Sequence, residues 1–421
     1  MATTTRTRIL TLDIIRGVAV MGILAMNIYA FAGPGAMYFN PAAYGGDSGI
    51  DWLVWAFNFV LVDSKMRGLF SILFGASTLL VIERAMAKSD RPAVRHYARM
   101  IWLLAFGLVH FWFIWWGDIL AIYAIAGLFL FFWRNCSVKV LRIWAIVMLT
   151  LGFLFVGSQN LAFRMADNPD LTAEQRKSLD QALTQTEGFF GANTPESEAK
   201  VREHLELHRG SYEEIVDKRF VEWRFKPFTN ALFLLPETLG LMLVGMALFK
   251  SGFLTGEWPR ERYRKWAITL FAIGVPANLA LLVWQVQSDY DAIVVLNSTL
   301  VLSMPFDVLM AIGWAALVTW LAKGALEGPL ATRIGAAGRM AFTNYLMTSI
   351  VMTTIFYGYG LGLYGEVGRA GLYLFVIGMW ALMLLWSKPW LDRFRYGPFE
   401  WLWRSLSRFS LQPMGRASAA A

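Results

Sequence analysis

Apolar residues along this chain come in long blocks, separated by short polar or basic stretches. Ten blocks stand out, near 14–33, 66–87, 98–116, 119–133, 142–160, 228–249, 266–286, 293–322, 340–357 and 371–387. Most approach the roughly 20 residues that a helix needs to cross a bilayer core. The fourth is short, and Gly117-Asp118 leaves only a tight link to the third, so that pair is expected to form a helical hairpin. The segment 50–62 is apolar but too short to span alone, and either extends the second helix outward or lies at the interface. The pattern predicts an all-α polytopic membrane protein of about ten transmembrane helices. Its expected parts are a first membrane half (1–162), a polar insertion (163–226), a second membrane half (227–390) and an amphipathic tail (391–421).

Composition agrees with that pattern. Of 421 residues, 57% are hydrophobic and only 16% charged, against about a quarter charged in soluble domains. Mean hydropathy is +0.47. Too little polar surface is left to cover a globule in water, and a disordered or disulfide-stapled chain is excluded. The single cysteine, Cys136, has no intrachain partner. The first apolar block, Ile14 to Phe31, is too long for a signal-peptide core and runs into Gly33-Pro34-Gly35, so it reads as a span.

The net charge of +8 is explained by where the basic residues fall. Short cytoplasmic loops are enriched in Lys and Arg. Arg6 and Arg8 precede the first span. Arg84, Lys88, Arg91, Arg95 and Arg99 lie between the second and third, and Arg260, Arg262, Arg264 and Lys265 between the sixth and seventh. Lys323, Arg333 and Arg339 follow the eighth, and the tail carries Arg393, Arg395, Arg404, Arg408 and Arg416. Loops of the other parity hold only Lys65 and Arg369, apart from the polar insertion. Both termini are therefore expected in the cytoplasm. The charge reads as an orientation signal and an attraction to anionic membrane lipids, and not as a nucleic-acid surface.

The insertion falls on the outer side by parity. Long loops cross regardless of charge, and its sequence looks helical, with a start at Thr172 and a polar helix from Glu196 to His208. A small helical periplasmic cap is expected. His204 and His208 are four apart, but two ligands make no zinc site, so a solvated helix face is expected and no metal. Trp390 to Phe409 mixes Trp and Phe with Arg and resembles an interfacial helix.

Ionisable groups inside a membrane are costly and mark function by default. His110 lies about 18 Å up its helix from the inner edge, at 1.5 Å per residue, and Asn27 lies at similar height. Asp118 sits at the hairpin tip, eight residues on. An imidazole can accept and return a proton near neutral pH, so His110 is the candidate catalytic base and Asp118 its orienting partner. A packing histidine is the plain alternative. Asp63, Lys65 and Arg67 sit at the outer end of the second span. Glu237 follows Pro236 in the sixth, and Asp307 follows Pro305 in the eighth. With Asn27, these are the candidate substrate-binding groups, and a shared polar cavity open to the outside would satisfy them. Asp13 and Arg16, three apart, can pair on one helix face as a structural ion pair. Arg16 and Arg339 are candidates for a donor phosphate or a lipid head group.

Six ordered stretches resemble one bacterial inner-membrane family, the YeiB-like proteins of domain of unknown function 418. They are Leu12-Asp-Ile-Ile-Arg-Gly-Val-Ala through Asn27, Leu69-Phe-Ser-Ile-Leu-Phe-Gly75, and Gly107-Leu-Val-His110 with Gly117-Asp-Ile-Leu-Ala-Ile-Tyr123. The others are Leu239-Gly-Leu-Met-Leu-Val-Gly-Met246, Gly338-Arg-Met-Ala-Phe-Thr-Asn-Tyr345 and Gly397-Pro-Phe-Glu-Trp-Leu-Trp-Arg404. Asp13 to Asn27 is also similar to the opening helix of transmembrane acyltransferases of the heparan-alpha-glucosaminide N-acetyltransferase type. That resemblance implies an inner-membrane enzyme moving an acyl group from a cytoplasmic donor, with acyl-CoA as co-substrate and no bound cofactor. The acceptor would be an envelope glycan, a lipid or a small amphiphile. Those acyltransferases carry a histidine just ahead of the second helix. Tyr38 to Asp51 contains none here, and His110 would take the role from another helix. The alternatives are a proton-coupled transporter or exporter using Glu237, Asp307 and His110, or a lipid-organising protein. A homo-oligomer is compatible with any of them.

Overall fold

A computed structural model describes residues 2–88, 90–164, 170–324 and 328–415, with only the backbone at 2–9, 159–162 and 164. The side chains of Arg6 and Arg8, and Arg416 altogether, lie outside the described residues. The helices are α1 (Ala2–Ala32), α2 (Gly35–Phe39), α3 (Gly49–Leu61), α4 (Lys65–Ala87), α5 (Pro92–Val109), α6 (Leu120–Leu130), α7 (Val138–Arg164), α8 (Ala173–Phe190), α9 (Pro195–Arg209), α10 (Tyr212–Asp217), α11 (Lys226–Lys250), α12 (Arg260–Gln287), α13 (Ala292–Leu296), α14 (Met304–Ala322), α15 (Pro329–Arg339), α16 (Ala341–Phe356), α17 (Arg369–Arg393) and α18 (Pro398–Ser407). No strand forms among the described residues beyond one isolated bridge, Phe394 to Gly415.

Eight described helical segments are long and apolar enough to cross a bilayer: α1, α3 with α4, α5 with the turn after it, α7, α11, α12, α14 and α17. The apolar helices Leu120–Trp133 and Ala341–Phe356 are shorter. The block expected at 293–322 is not one helix. A π-helical turn over Asn297–Leu302 and Ser303 separate α13 from α14. The segment 50–62 extends the second helix, as α3, but Ser64 adopts a left-handed φ of 56° between α3 and α4.

α1 lies in the middle of the bundle. Its most apolar window is 78% buried, against 17% for α7 and 28% for α12 and α17. The peripheral helices therefore keep their Leu, Ile and Phe side chains for lipid, where apolar exposure costs nothing. α1 meets α15 backbone to backbone. A methyl group on Gly338 would collide with the Asp13 carbonyl, and one on Gly17 with the Ile334 carbonyl.

The polar insertion is helical, and its starts are written in the sequence. Thr172, Thr194 and Ser211 each cap a helix reciprocally with the side chain three residues on, an arrangement worth about 0.5–2 kcal/mol per cap. The expectation of a solvated His204 and His208 is corrected. Both are buried, because α9 lies against α2 and the loop after α16. His204 Nδ1 accepts from the Gly35 N–H at 3.1 Å, and the His208 ring stacks on Tyr364 at 4.7 Å. Burial pushes the His204 imidazole down to about 4, with Lys200 adding to the effect.

The tail does more than lie at a surface. α17 runs on to Arg393 through Pro389, and α18 then docks on α5. The Trp403 indole donates to the Arg99 carbonyl at 2.9 Å, and the Arg99 guanidinium lies 3.9 Å from the Trp403 ring.

Candidate functional site

α5 does not continue to Asp118. His110 to Ile114 form a π-helical turn, Trp115 is extended, and the chain reverses through Gly117 into α6. A methyl on Gly107 would press on the Ala121 amide, so glycine lets α6 begin directly against α5. This reversal brings His110 Nδ1 to 2.8 Å from Asp118 Oδ1. The second carboxylate oxygen accepts from the Ala121 N–H at 2.8 Å, which fixes the carboxylate at the start of α6. With Asp118 accepting, the proton sits on Nδ1 and Nε2 presents a lone pair. That Nε2 is buried and has no partner among the described residues. The side chains are 0% and 2% exposed. An oriented imidazole with a free nitrogen is the geometry of a general base.

Tyr345 packs against the His110 ring at 5.2 Å. Its hydroxyl oxygen accepts from the Ile119 N–H at 3.3 Å, so its own proton is left to donate elsewhere. Tyr345 lines two spaces. One is a gap of about 10 Å³ shared with Asn27, Phe31 and Thr348, the size of a single water. The other is a cavity of about 210 Å³ with apolar walls from Phe70, Leu73, Leu103 and Phe342. Ile119, next to Asp118, and Tyr123 also line it. Tyr123 shares a 2.6 Å hydrogen bond with Ser71.

The other end of the cavity is charged, with Arg16, Arg99, Arg339 and Glu400. Arg16 pairs with Asp13 at 3.0 Å and donates to Ser77 Oγ at 3.0 Å. Glu400 is held by the Phe342 and Thr343 amides at 2.8 and 3.0 Å, at the start of α16. Burial raises its carboxyl above the usual range, against those hydrogen bonds. Arg99 also lines a second pocket of about 200 Å³, with Arg84, Lys88, Arg95, Arg404 and Arg408. The carboxylate there, Asp90, is engaged by Arg95 at 3.0 Å. A basic pocket and an apolar cavity thus meet at one arginine.

The structure places the remaining expected groups in pairs. Lys65 lies 2.7 Å from Asp307 and also donates to Asn278 and the Phe59 carbonyl. Arg67 meets Glu237 at 2.7 Å, and Asp63 accepts from Tyr38 at 2.6 Å. Lys65 and Asp307, and Arg67 and Glu237, thus answer one another, and Asp63 is held by a tyrosine hydroxyl. Sequence reasoning missed Tyr123, Tyr345, Arg99, Glu400 and Trp403 as site residues, although all but Arg99 stand in the quoted motifs. Arg99 read only as a loop charge because nothing in sequence says that α18 returns to it.

These features define an all-helical protein with eight described helical segments apolar enough to cross a membrane, in which an apolar cavity and a basic pocket share one arginine. The chain belongs to the YeiB-like family. The family model described as "Protein of unknown function (DUF418)" matches residues 248–410. The chain is 34% identical to YeiB of Escherichia coli K12, over 95% of this chain and 96% of that one. It is 32% identical to YxaH of Bacillus subtilis 168, over 98% of each. A 39.9 kDa protein encoded beside an amylase in Bacillus acidopullulyticus is 22% identical over 95% of this chain. The relatives are described as uncharacterized, so the site itself has to carry the functional argument.

Proposed function

We propose that this chain is an acyltransferase-like enzyme of the bacterial inner membrane, with both termini cytoplasmic and the α8–α10 cap periplasmic. The observation that carries this reading is the junction at Arg99. A basic pocket suited to phosphates shares Arg99 with an apolar cavity, and the cavity's Tyr345 packs against His110 of the dyad. An acyl-CoA donor has that shape: phosphates for the basic pocket and an apolar arm for the cavity.

In the reaction, His110 Nε2 takes the proton from an acceptor hydroxyl or amine. The freed lone pair attacks the thioester carbonyl, and the oxyanion meets the Tyr345 hydroxyl proton. Collapse breaks the carbon–sulfur bond, and the thiolate takes the proton back from His110. Asp118 keeps the ring in the required tautomer and stabilises its charged form. A proton-coupled transporter ranks second, because Glu237 and Asp307, the acids it would use, are both held in ion pairs.

The test is transfer from labelled acyl-CoA in proteoliposomes containing the full chain. Wild type should label an acceptor, and His110→Ala and His110→Gln should both be inactive while melting near the wild-type temperature. Full activity in His110→Gln, which can hydrogen-bond but not carry a proton, sinks the base assignment.

A further inference from the structure

The basic pocket and the apolar cavity share a wall as well as an arginine. α18 puts Glu400 and Trp403 on the cavity and Arg404, Ser407 and Arg408 on the basic pocket. The rest of the pocket's positive charge comes from Arg84 of α4, Lys88 just after it, and Arg95 and Arg99 of α5. Apolar burial holds α18 down only weakly. Its buried residues are Ser405 and Ser407, while Phe399, Trp401, Leu402 and Trp403 keep part of their surface exposed. Its anchors are the Glu400 carboxylate at the Phe342 and Thr343 amides and the Trp403 indole at the Arg99 carbonyl.

Charge works against that docking. Six cations and one carboxylate line the basic pocket, and the carboxylate, Asp90, is taken by Arg95. No carboxylate pairs with Arg84, Lys88, Arg99, Arg404 or Arg408 among the described residues. Arg404 and Arg408, four apart, share one face of α18 and repel each other. Arg404 lies 5.0 Å from the Tyr396 ring, and its Nε is buried without a partner among the described residues. Burial lowers the Arg404 pKa below its ordinary value, with Arg408 and Arg84 acting in the same direction. A seam of unanswered positive charge thus runs between α18 and the helices beneath it.

We infer that α18 is a clamp, loosely docked in the empty protein and locked down by a phosphate-bearing ligand in the basic pocket. The phosphates accept from Arg404 and Arg408 of α18 and from Arg84, Lys88 and Arg99 beneath it, which turns repulsion across the seam into attraction. Only the docked helix brings all these cations together, so the ligand favours that state and shifts the population toward it. Glu400 and Trp403 ride on the same helix, so locking it also fixes the wall of the apolar cavity. Calling the ligand the acyl donor rests on the acyl-transfer reading; the clamp can be measured without transfer. A soluble polyphosphate and an anionic lipid head group offer the same chemistry, and the experiment separates them.

The experiment follows amide hydrogen exchange in α18 of the full-length protein in nanodiscs, with and without inorganic pyrophosphate. In phosphatidylcholine discs, pyrophosphate at ten times its Kd should slow α18 exchange about tenfold and leave α9 unchanged. Exchange already slow in phosphatidylglycerol discs without pyrophosphate assigns the pocket to a lipid head group; exchange slowed by pyrophosphate alone assigns it to a soluble ligand. No slowing in either disc overturns the clamp. Arg84→Gln lies outside α18 and relieves the repulsion. It should slow α18 exchange in the empty protein and weaken the pyrophosphate response several-fold, whereas a merely structural Arg84 would leave α18 exchanging faster. Faster exchange, or an unchanged pyrophosphate response, in this variant overturns the inference, and Arg408→Gln decides by the same two readouts if Arg84→Gln fails to fold. A ligand-locked α18 without acyl transfer upholds the clamp and sinks the acyl-transfer reading. Transfer with an unresponsive α18 upholds that reading and overturns the clamp.

Discussion

His110 Nδ1 and Asp118 Oδ1 stand 2.8 Å apart across a chain reversal. A continuous helix would place residues eight apart about 12 Å from each other along its axis, too far for a hydrogen bond. Ending α5 in a π-helical turn folds Asp118 back and spends its second oxygen on the first turn of α6. Position and tautomer are therefore set by backbone as well as by side chain.

Asp118→Asn should leave the fold intact and remove the charge that holds the Nδ1 proton. Transfer should fall roughly 10²–10⁴-fold in kcat with KM little changed, the range for losing an oriented base. Steady-state kinetics with acyl-CoA checks this, and a loss confined to KM would count against the dyad.

Lys65 and Asp307 are buried together, and either alone is an uncompensated charge. Lys65→Met or Asp307→Leu should each destabilise the bundle by about 3–5 kcal/mol, and the double variant should recover most of the loss. Melting temperatures of all four proteins form the cycle. Additive losses would show that the pair is not coupled.

Arg99 and Arg404 should govern donor affinity. Arg99→Gln with Arg404→Gln should raise the acyl-CoA KM and flatten its dependence on salt, since screening acts on the charges that bind the phosphates. An unchanged KM would move the donor out of the basic pocket.

The cap should loosen in acid. His204 titrates near 4 in the folded cap and near 6.5 when exposed. The opened state then binds more protons between those values, so stability is full above about 6.5 and falls as pH drops toward 4. The loss is about 2 kcal/mol by pH 5. Hydrogen exchange in α9 at pH 7 and pH 5 measures it, and a cap equally protected at both would refute the shift.

Sidedness can be read with membrane-impermeant thiol reagents in intact cells, against a Cys136→Ser background. A cysteine at Lys177 in the cap should label from outside, and one at Arg264, at the start of α12, should label only after lysis. The opposite pattern would invert the topology.

Much of this architecture was legible because bilayer burial writes long apolar blocks into a sequence. The cap helices were legible because Thr172 and the stretch from Glu196 to His208 carry helix signals. The His110–Asp118 contact was expected, but not the π-helical turn and chain reversal that make it. The tertiary partners were not legible. Lys65 finds Asp307, and Arg99 finds Trp403, across hundreds of residues, and periodicity holds no information on which distant charge answers which. His204 and His208 looked solvated because their helix is polar; α2 and Phe189 cover His204, and the loop holding Tyr357 and Tyr364, far along the chain, covers His208.

Biosynthesis reaches α1 long before the helices that cover it. Arg16 ends beside Ser77, 61 residues on, and the Gly338 carbonyl, 322 residues on. Until those segments are made, a lone arginine entering hydrocarbon would cost roughly 2.5–3.5 kcal/mol at the bilayer centre. Asp13 is translated first and lies one turn away on the same helix, so the two can neutralise each other as soon as that turn forms. The helix travels into the membrane with its own counter-ion, and the distant helices later inherit a charge that was already safe to deliver.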